Sequence, residues 1–120
     1  MPHGPRFTKL CAEAKAHVKE ITSEEASQRQ RGGTMLIDVR EAEEFQKEHA
    51  VGAVHISKGA LEMKIEQQAP DAATPIVLYC GGGNRSALAA ENLQRMGYTN
   101  VASMAGGFKA WREKGLATES

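Results

Sequence analysis

Residues 75–96 read PIVLYCGGGNRSALAAENLQRM, and this stretch decides the fold. Pro75 opens a short apolar run, residues 76–79, whose composition is typical of a strand buried on both faces. Cys80 and three glycines follow directly, and residues 86–96 then have the apolar spacing of a helix. The order of strand, tight loop and helix predicts an α/β unit with the cysteine at the carboxyl end of the strand.

The loop has the residue types of an anion-binding site. A thiol reacts as its thiolate, and an ordinary pKa of about 8.5 leaves only a small fraction ionised at neutral pH. Residues 81–83 are all glycine, so successive backbone N–H groups can point inward as a nest. Ser86 begins the predicted helix, whose positive end faces the same concavity, and Arg85 adds a charge at the rim. These features favour Cys80 as a thiolate, and they suit a persulfide or a donor oxyanion equally well.

A simpler interpretation of the same residues is structural. A lone cysteine is more often a small buried apolar residue, and the glycines would then form only a flexible turn. Three glycines and Arg85 between a strand and a helix make this interpretation the less favoured one. We therefore take Cys80 as a candidate nucleophile.

The rest of the chain alternates short β-branched runs with stretches of helical periodicity, which is typical of an α/β protein. Further strands are expected at residues 18–21, 35–39, 51–56 and 101–103. Helices are expected over residues 8–17, from a cap at Thr22 or Ser23 toward Gly32, over residues 41–48 and 58–69, and after Gly106–Gly107 through Phe108 and Trp111.

Four motifs in order connect the sequence with a known family. The run CGGGNRS, residues 80–86, resembles the active-site loop of single-domain rhodaneses. Residues 38–40 (DVR) and residues 44–53 (EFQKEHAVGA) are similar to the Asp-x-Arg and Glu-Phe-x-x-Gly-His-Ile-x-Gly-Ala elements of that family. Residues 106–111 match its Gly-Gly-x-x-x-Trp element. Together the motifs cover about residues 17–116, so the chain is identified as a member of the rhodanese family.

The sequence departs from the family pattern near the second motif. Glu48 stands where the family usually has Gly, Ala50 where it has Ile, and His55 and Ser57 replace the common Asn and Pro. These differences affect the expected turn geometry and leave the expected fold unchanged.

The resemblance implies a doubly wound α/β domain with a central, mainly parallel five-stranded sheet and helices on both faces. It divides the chain into an N-terminal helical extension at residues 1–16, a rhodanese-like domain at residues 17–116 and a C-terminal tail at residues 117–120. It also implies that Cys80 takes a sulfane sulfur from a donor such as thiosulfate and passes it to cyanide or a thiol, in a double displacement. This chemistry requires no cofactor and no metal.

The resemblance also assigns expected roles around Cys80. Arg85 is expected to bind the donor anion and to stabilise the persulfide. Asn84 is expected to tolerate a strained loop conformation. The residues expected to contribute mostly backbone N–H groups to the bound anion are Gly81, Gly82, Gly83, Asn84 and Ser86. Asp38 and Arg40 are supporting candidates only, because such residues at a strand end more often pair with neighbours such as Glu43 or Glu44.

Other reactive residues are expected to be structural. His49 and His55 have no convincing set of partners for a base or a metal site. Cys11 lies in the N-terminal helix without a glycine loop beside it, so packing is favoured over a role as a resolving thiol. Both cysteines are expected as free thiols. Trp111 is expected in the core with Phe108.

The composition is that of an ordinary globular protein, with 41% apolar and 25% charged residues and fifteen basic against fifteen acidic side chains. A formal net charge of zero gives no general attraction to nucleic acid or anionic membrane, so neither is an expected partner. Residues 1–10 lack the apolar core of a secretory signal, and we expect a cytoplasmic protein. The expected partners are a small sulfur donor and a thiol or cyanide acceptor.

Two other functions fit a cysteine in an anion nest. A phosphatase or arsenate reductase would use the same nucleophile on phosphorus or arsenic. Tyrosine-phosphatase loops have five residues between Cys and Arg, however, whereas four separate Cys80 from Arg85, which gives a smaller cradle. A persulfide carrier or regulatory module would deliver its sulfur only to a protein partner.

Overall fold

The computed structural model describes residues 3–120, in which helices and strands alternate along the chain. The helices are α1 Pro5–His17, α2 Ser23–Arg31, α3 Ala42–Lys47, α4 Leu61–Gln68, α5 Asn84–Arg95 and α6 Gly107–Glu113, with a 3₁₀ turn at Lys58–Ala60. The strands are β1 Lys19–Ile21, β2 Met35–Asp38, β3 His49–Ala50, β4 Val54–His55, β5 Ile76–Tyr79, β6 Val101–Met104 and β7 Thr118–Glu119.

Five strands form one parallel sheet in the order β1-β6-β5-β2-β4, which confirms the predicted α/β class and the five-stranded sheet. Strand β5 is central, between β6 and β2. Ligands of open α/β sheets bind outside the carboxyl ends of the strands, and the loop after β5 occupies that position. Within residues 3–120, no helix combines the length and apolar character needed to cross a membrane.

The alternation of side chains along β5 divides the core into two layers. Ile76, Leu78 and Cys80 belong to the cluster that includes residues of α4 and α5. Val77 and Tyr79 belong to the second cluster, which includes residues of α2 and α6. Because successive strand residues face opposite sides, the run IVLY is buried throughout, and Cys80 faces α5.

Strand β5 was predicted with its observed bounds, whereas the expected strand at residues 51–56 was wrong in extent. Gly52 has a φ of +79° and Ala53 N donates to Ala50 O at 3.1 Å, so residues 51–53 form a turn. This turn leaves only Val54–His55 in the large sheet, and His49–Ala50 pairs elsewhere. A residue with a left-handed backbone conformation interrupts a strand, and the spacing of apolar residues does not indicate where such a residue lies.

Both ends of the described chain pack on the domain. Helix α1 begins at Pro5, earlier than expected, because proline suits the first helical position, and it packs against α5. Residues 1 and 2 of the expected extension lie outside the described residues. The expected tail contains β7, which pairs antiparallel with β3 through Ala50 and Thr118. The sequence did not indicate this second, two-stranded sheet.

Helix α6 touches the loop after β5 at Gly107. A Cβ at this position would lie 2.5 Å from Cys80 O and 2.6 Å from Gly81 O. Gly107 also has a φ of +58°, in the region that favours glycine. Any side chain at residue 107 would therefore push α6 away from the loop.

We expect Gly107→Ala to lower the free energy of unfolding by about 3 kcal/mol, through left-handed strain and a backbone clash. Gly115→Ala is the matched control, since Gly115 also has a positive φ, +70°, but its Cβ would meet nothing within 4 Å. The control should lose only about 1 kcal/mol in the same urea titration. Equal losses in the two variants would contradict the importance of the contact.

Candidate active site

The sulfur of Cys80 lies directly beyond the carboxyl end of β5 and accepts two backbone hydrogen bonds. Gly83 N lies 3.1 Å and Ser86 N 3.3 Å from Cys80 Sγ. The thiol also contacts Ser86 Oγ at 3.5 Å. Cys80 is only 1% exposed, so the two amides replace water as partners of the sulfur. Two converging N–H dipoles are suited to hold a sulfur anion.

The start of α5 supplies these amides. The helix begins at Asn84, two residues earlier than predicted, with Gly83 as its N-cap at a φ of +105°. Ser86 therefore lies in the first turn, where backbone N–H groups have no partner within the helix. The expected strain at Asn84 is wrong, because Gly83 takes the left-handed conformation and leaves Asn84 helical.

Helix α6 fixes the other side of the loop. Phe108 N donates to Cys80 O at 2.7 Å, and Lys109 N donates to Gly81 O at 3.2 Å. The amides of one helix terminus thus bind the loop carbonyls while those of α5 bind the sulfur. The loop is held between two helix N-termini.

A pair of buried hydroxyls lies behind the sulfur. Ser86 Oγ and Ser103 Oγ are 2.8 Å apart, and both residues are fully buried. Ser103 belongs to β6, the strand next to β5. It therefore orients the Ser86 hydroxyl that contacts Cys80, and we did not single it out from the sequence.

A cavity of about 530 Å³ lies beside the loop, and Cys80 is one of its lining residues. The loop residues in its wall are Cys80, Gly82, Asn84 and Arg85, and α1 and the residues before it contribute His3, Gly4 and Phe7. The structure thus brings most of the predicted loop together around one space. Gly81 lines a separate cleft with Arg40 and Phe108.

Arg85 is paired across the rim with Glu44. Its Nη1 lies 3.0 Å from Glu44 Oε1 and its Nη2 3.2 Å from Oε2. The hydrogen bonds from Arg85 lower the pKa of Glu44 below its ordinary value, and those to Glu44 raise the pKa of Arg85. Both groups are therefore ionised at neutral pH, and the positive charge at the rim is largely balanced.

Asp38 and Arg40 pair with each other, which corrects the expected pairing with Glu43 or Glu44. Arg40 Nε and Nη2 donate to the Asp38 carboxylate at 2.8–3.1 Å, and Nη2 also donates to Glu48 O at 2.7 Å. The guanidinium carbon lies 4.4 Å from the centroid of the Phe108 ring. Burial disfavours the charge on Arg40, but the hydrogen bonds with Asp38 outweigh it and raise the Arg40 pKa. This pair braces the end of β2 against α6.

The remaining candidates lie in structural positions. His49 stacks on Phe45 with ring centroids 3.7 Å apart, and His55 Nε2 contacts Arg40 O at 2.8 Å. Cys11 is 2% exposed, and burial raises its pKa although the positive charge of Lys15 acts to lower it. Trp111 is buried, as predicted, and donates to Ala117 O at 2.9 Å.

A family model for the rhodanese-like domain matches residues 22–114. The chain belongs to the rhodanese-like family. This confirms the resemblance drawn from the four motifs. The rhodanese-like chain is also similar to the thiosulfate sulfurtransferase GlpE of Pseudomonas savastanoi pv. phaseolicola, with 36% identity over 94 residues, 78% of this chain and 87% of the relative. The family and this relative support sulfur transfer as the general activity.

Two solved structures resemble this rhodanese-like protein over most of its length. A protein of unknown function from Rhodopseudomonas palustris CGA009, described as a possible tyrosine phosphatase, is 32% identical with a TM-score of 0.83, covering 99% of both chains. The polysulfide-sulfur transferase homodimer of Wolinella succinogenes is 27% identical with a TM-score of 0.82, covering 95% of this chain and 87% of that chain. The match to the Rhodopseudomonas palustris structure also includes helix α1, which lies outside the residues that match the family model.

Several residues that contact the loop or line the cavity could not be assigned to the site from the sequence. Gly107 and Glu44 both belong to the family motifs, which indicated that these positions matter. The spacing of the motifs did not predict that Gly107 contacts the loop or that Glu44 pairs with Arg85. Phe7 carried no signal, because it precedes every motif. The structure alone brings these residues to the loop.

We expect Asp38→Asn to lower the free energy of unfolding by about 3–5 kcal/mol, because Arg40 would keep a buried, unpaired charge. Glu25→Gln is the control, since the partly exposed pair of Glu25 with Arg29 should contribute at most about 1 kcal/mol. Adding Arg40→Met to the Asp38 variant should recover part of the loss in urea titrations. Equal losses in the two single variants would contradict the bracing role.

Proposed function

We propose that this rhodanese is a thiosulfate-type sulfurtransferase that carries a sulfane sulfur as a persulfide on Cys80. The observation that carries the proposal is the pair of amides, Gly83 N and Ser86 N, at 3.1 and 3.3 Å from the cysteine sulfur. The cavity of about 530 Å³ that Cys80 helps to line is the proposed entry route for the donor and the acceptor.

The first half-reaction loads the enzyme. The Cys80 thiolate attacks the sulfane sulfur of thiosulfate, a new S–S bond forms, and the S–S bond of thiosulfate breaks. Sulfite leaves with the electron pair, and the outer sulfur of the persulfide carries the negative charge. Gly82, Asn84 and Arg85 line the space where the donor oxygens would lie.

The second half-reaction regenerates the thiolate. Cyanide or a thiolate attacks the outer sulfur of the persulfide, and the S–S bond breaks toward Cys80. The electron pair returns to the Cys80 sulfur, where the amides of Gly83 and Ser86 stabilise the anion. No external oxidant, cofactor or metal is required, and the cycle is a double displacement.

Cys80→Ser should reduce thiocyanate formation from thiosulfate and cyanide by roughly three orders of magnitude or more, because the nucleophile is removed. Cys11→Ala is the control and should retain activity, since Cys11 packs against the domain and lies outside the cavity wall. Intact mass after incubation with thiosulfate should show one added sulfur atom in wild type and none in Cys80→Ser.

Two results would change the proposal. Unchanged thiocyanate formation in Cys80→Ser would exclude Cys80 as the nucleophile. A sulfur adduct that forms on Cys80 but is not discharged by cyanide, while a cellular protein removes it, would instead indicate a persulfide carrier. The mass experiment separates these cases because it follows loading and discharge independently.

Arg85→Met should raise the KM for thiosulfate by about tenfold to a hundredfold, because hydrogen bonds to the donor anion are lost. Glu44→Gln should lower this KM, because Arg85 keeps its charge and loses the carboxylate that balances it. The two variants form a matched pair on one contact. A rise in KM in both would show that Glu44 holds Arg85 in position and would contradict the competition between Glu44 and the donor.

A phosphatase is the second candidate, favoured by the description of the Rhodopseudomonas palustris neighbour as a possible tyrosine phosphatase. The four-residue spacing of Cys80 and Arg85 opposes it, because it gives a smaller cradle than the five-residue spacing of tyrosine-phosphatase loops. Hydrolysis of p-nitrophenyl phosphate faster than sulfur transfer, and lost in Cys80→Ser, would reverse this ranking.

A further inference from the structure

One wall of the cavity over Cys80 comes from outside the segment that matches the rhodanese-like family. That match begins at residue 22, whereas His3, Gly4 and Phe7 line the cavity together with the catalytic loop. Phe7 lies in the first turns of α1, and α1 packs against α5, the helix that supplies amides to the sulfur. The extension is thereby placed at the mouth of the site.

Phe7 is available to a ligand because the core does not use its ring. It lies outside both apolar core clusters of the described residues 3–120 and is half-buried. Its ring contacts His3 edge to face, with centroids 4.9 Å apart. An aromatic ring held at the wall of a cavity by such a contact offers a flat apolar surface.

The size and charge of the cavity indicate what lies against this surface. A volume of about 530 Å³ is in the range of sites for small organic molecules and is generous for thiosulfate or cyanide. Arg85 is balanced by Glu44, so the uncompensated positive potential comes from the amides around Cys80 Sγ. A complementary ligand has an anionic sulfur directed at the amides and an uncharged apolar body.

We propose that Phe7 is a specificity-determining residue for the sulfur acceptor, and that the acceptor is an organic thiol with an apolar, preferably aromatic, body. This inference rests on the proposed persulfide on Cys80. The acceptor thiolate attacks the outer sulfur, the S–S bond to Cys80 breaks, and the electron pair returns to the Cys80 sulfur. The acceptor leaves as its own persulfide anion, so atoms and electrons balance without another reactant.

A single-turnover experiment tests the assignment. The protein is loaded with thiosulfate, freed of excess donor and mixed with either thiophenol or cyanide, and loss of the added sulfur is followed by intact mass. In Phe7→Ala the ratio of the discharge rate with subsaturating thiophenol to that with cyanide should fall about tenfold, because an aromatic contact and apolar burial are lost. Phe7→Leu should give an intermediate ratio.

Leu10→Ala is the matched control. Leu10 lies on the same helix and is 51% exposed, but it is not part of the cavity wall, so its variant should keep the wild-type ratio. A ratio in Phe7→Ala equal to that of wild type, or equal falls in both variants, would overturn the role of Phe7. Failure of the wild type to take up sulfur would instead overturn the Cys80 persulfide, so the two failures are distinguishable.

Discussion

The contact between α6 and the loop after β5 is the constraint on which the site depends. Phe108 N and Lys109 N bind the carbonyls of Cys80 and Gly81, and Gly107 permits this approach because it has no Cβ. In a trans peptide the N–H points opposite to the C=O, so the N–H groups that follow these carbonyls face away from α6. The hydrogen bonds to α6 therefore fix the position of the loop. Gly83 then turns the chain into α5, and the backbone N–H of Ser86 in the first turn of that helix donates to the sulfur.

The electrostatics of the site rely on dipoles more than on a full charge. Arg85 is engaged by Glu44, whereas the amides of Gly83 and Ser86 have the sulfur as their partner. In the proposed cycle the thiolate and the persulfide are both monoanions, so fixed N–H groups can stabilise either state without a change in protonation nearby. Each hydrogen bond to an anion contributes about 1.5–3 kcal/mol, which is enough to stabilise the sulfur anion and small enough to allow its release. This balance suits a group that must be accepted and released in every cycle.

The local features of the site were predictable and the long-range ones were not. The strand before Cys80, the helix after it and the presence of backbone amides directed at the sulfur all follow from adjacent residues, since hydrophobic period and glycine content act locally. The partner of Arg85 lies 41 residues away, and Ser103 reaches Ser86 from another strand. Such contacts depend on strand order, which leaves no periodic pattern in the sequence. The pairing of β7 with β3 and the place of Phe7 were missed for the same reason.

In the proposed mechanism, the arrangement of α1 separates acceptor choice from sulfur chemistry. The residues that contact the sulfur are Gly83, in the loop after β5, and Ser86, in α5, and both lie within the part of the chain that matches the family. Helix α1 packs against α5 and buries Cys11 and Ala14, and it lines the cavity without donating a hydrogen bond to the sulfur. A substitution in the first turn of α1 is therefore expected to change the shape of the cavity while the amides and the buried serines keep their positions. In the proposed mechanism the same nest can serve different acceptors, because residues such as Phe7 that line the cavity determine selectivity and the amides around Cys80 Sγ determine reactivity.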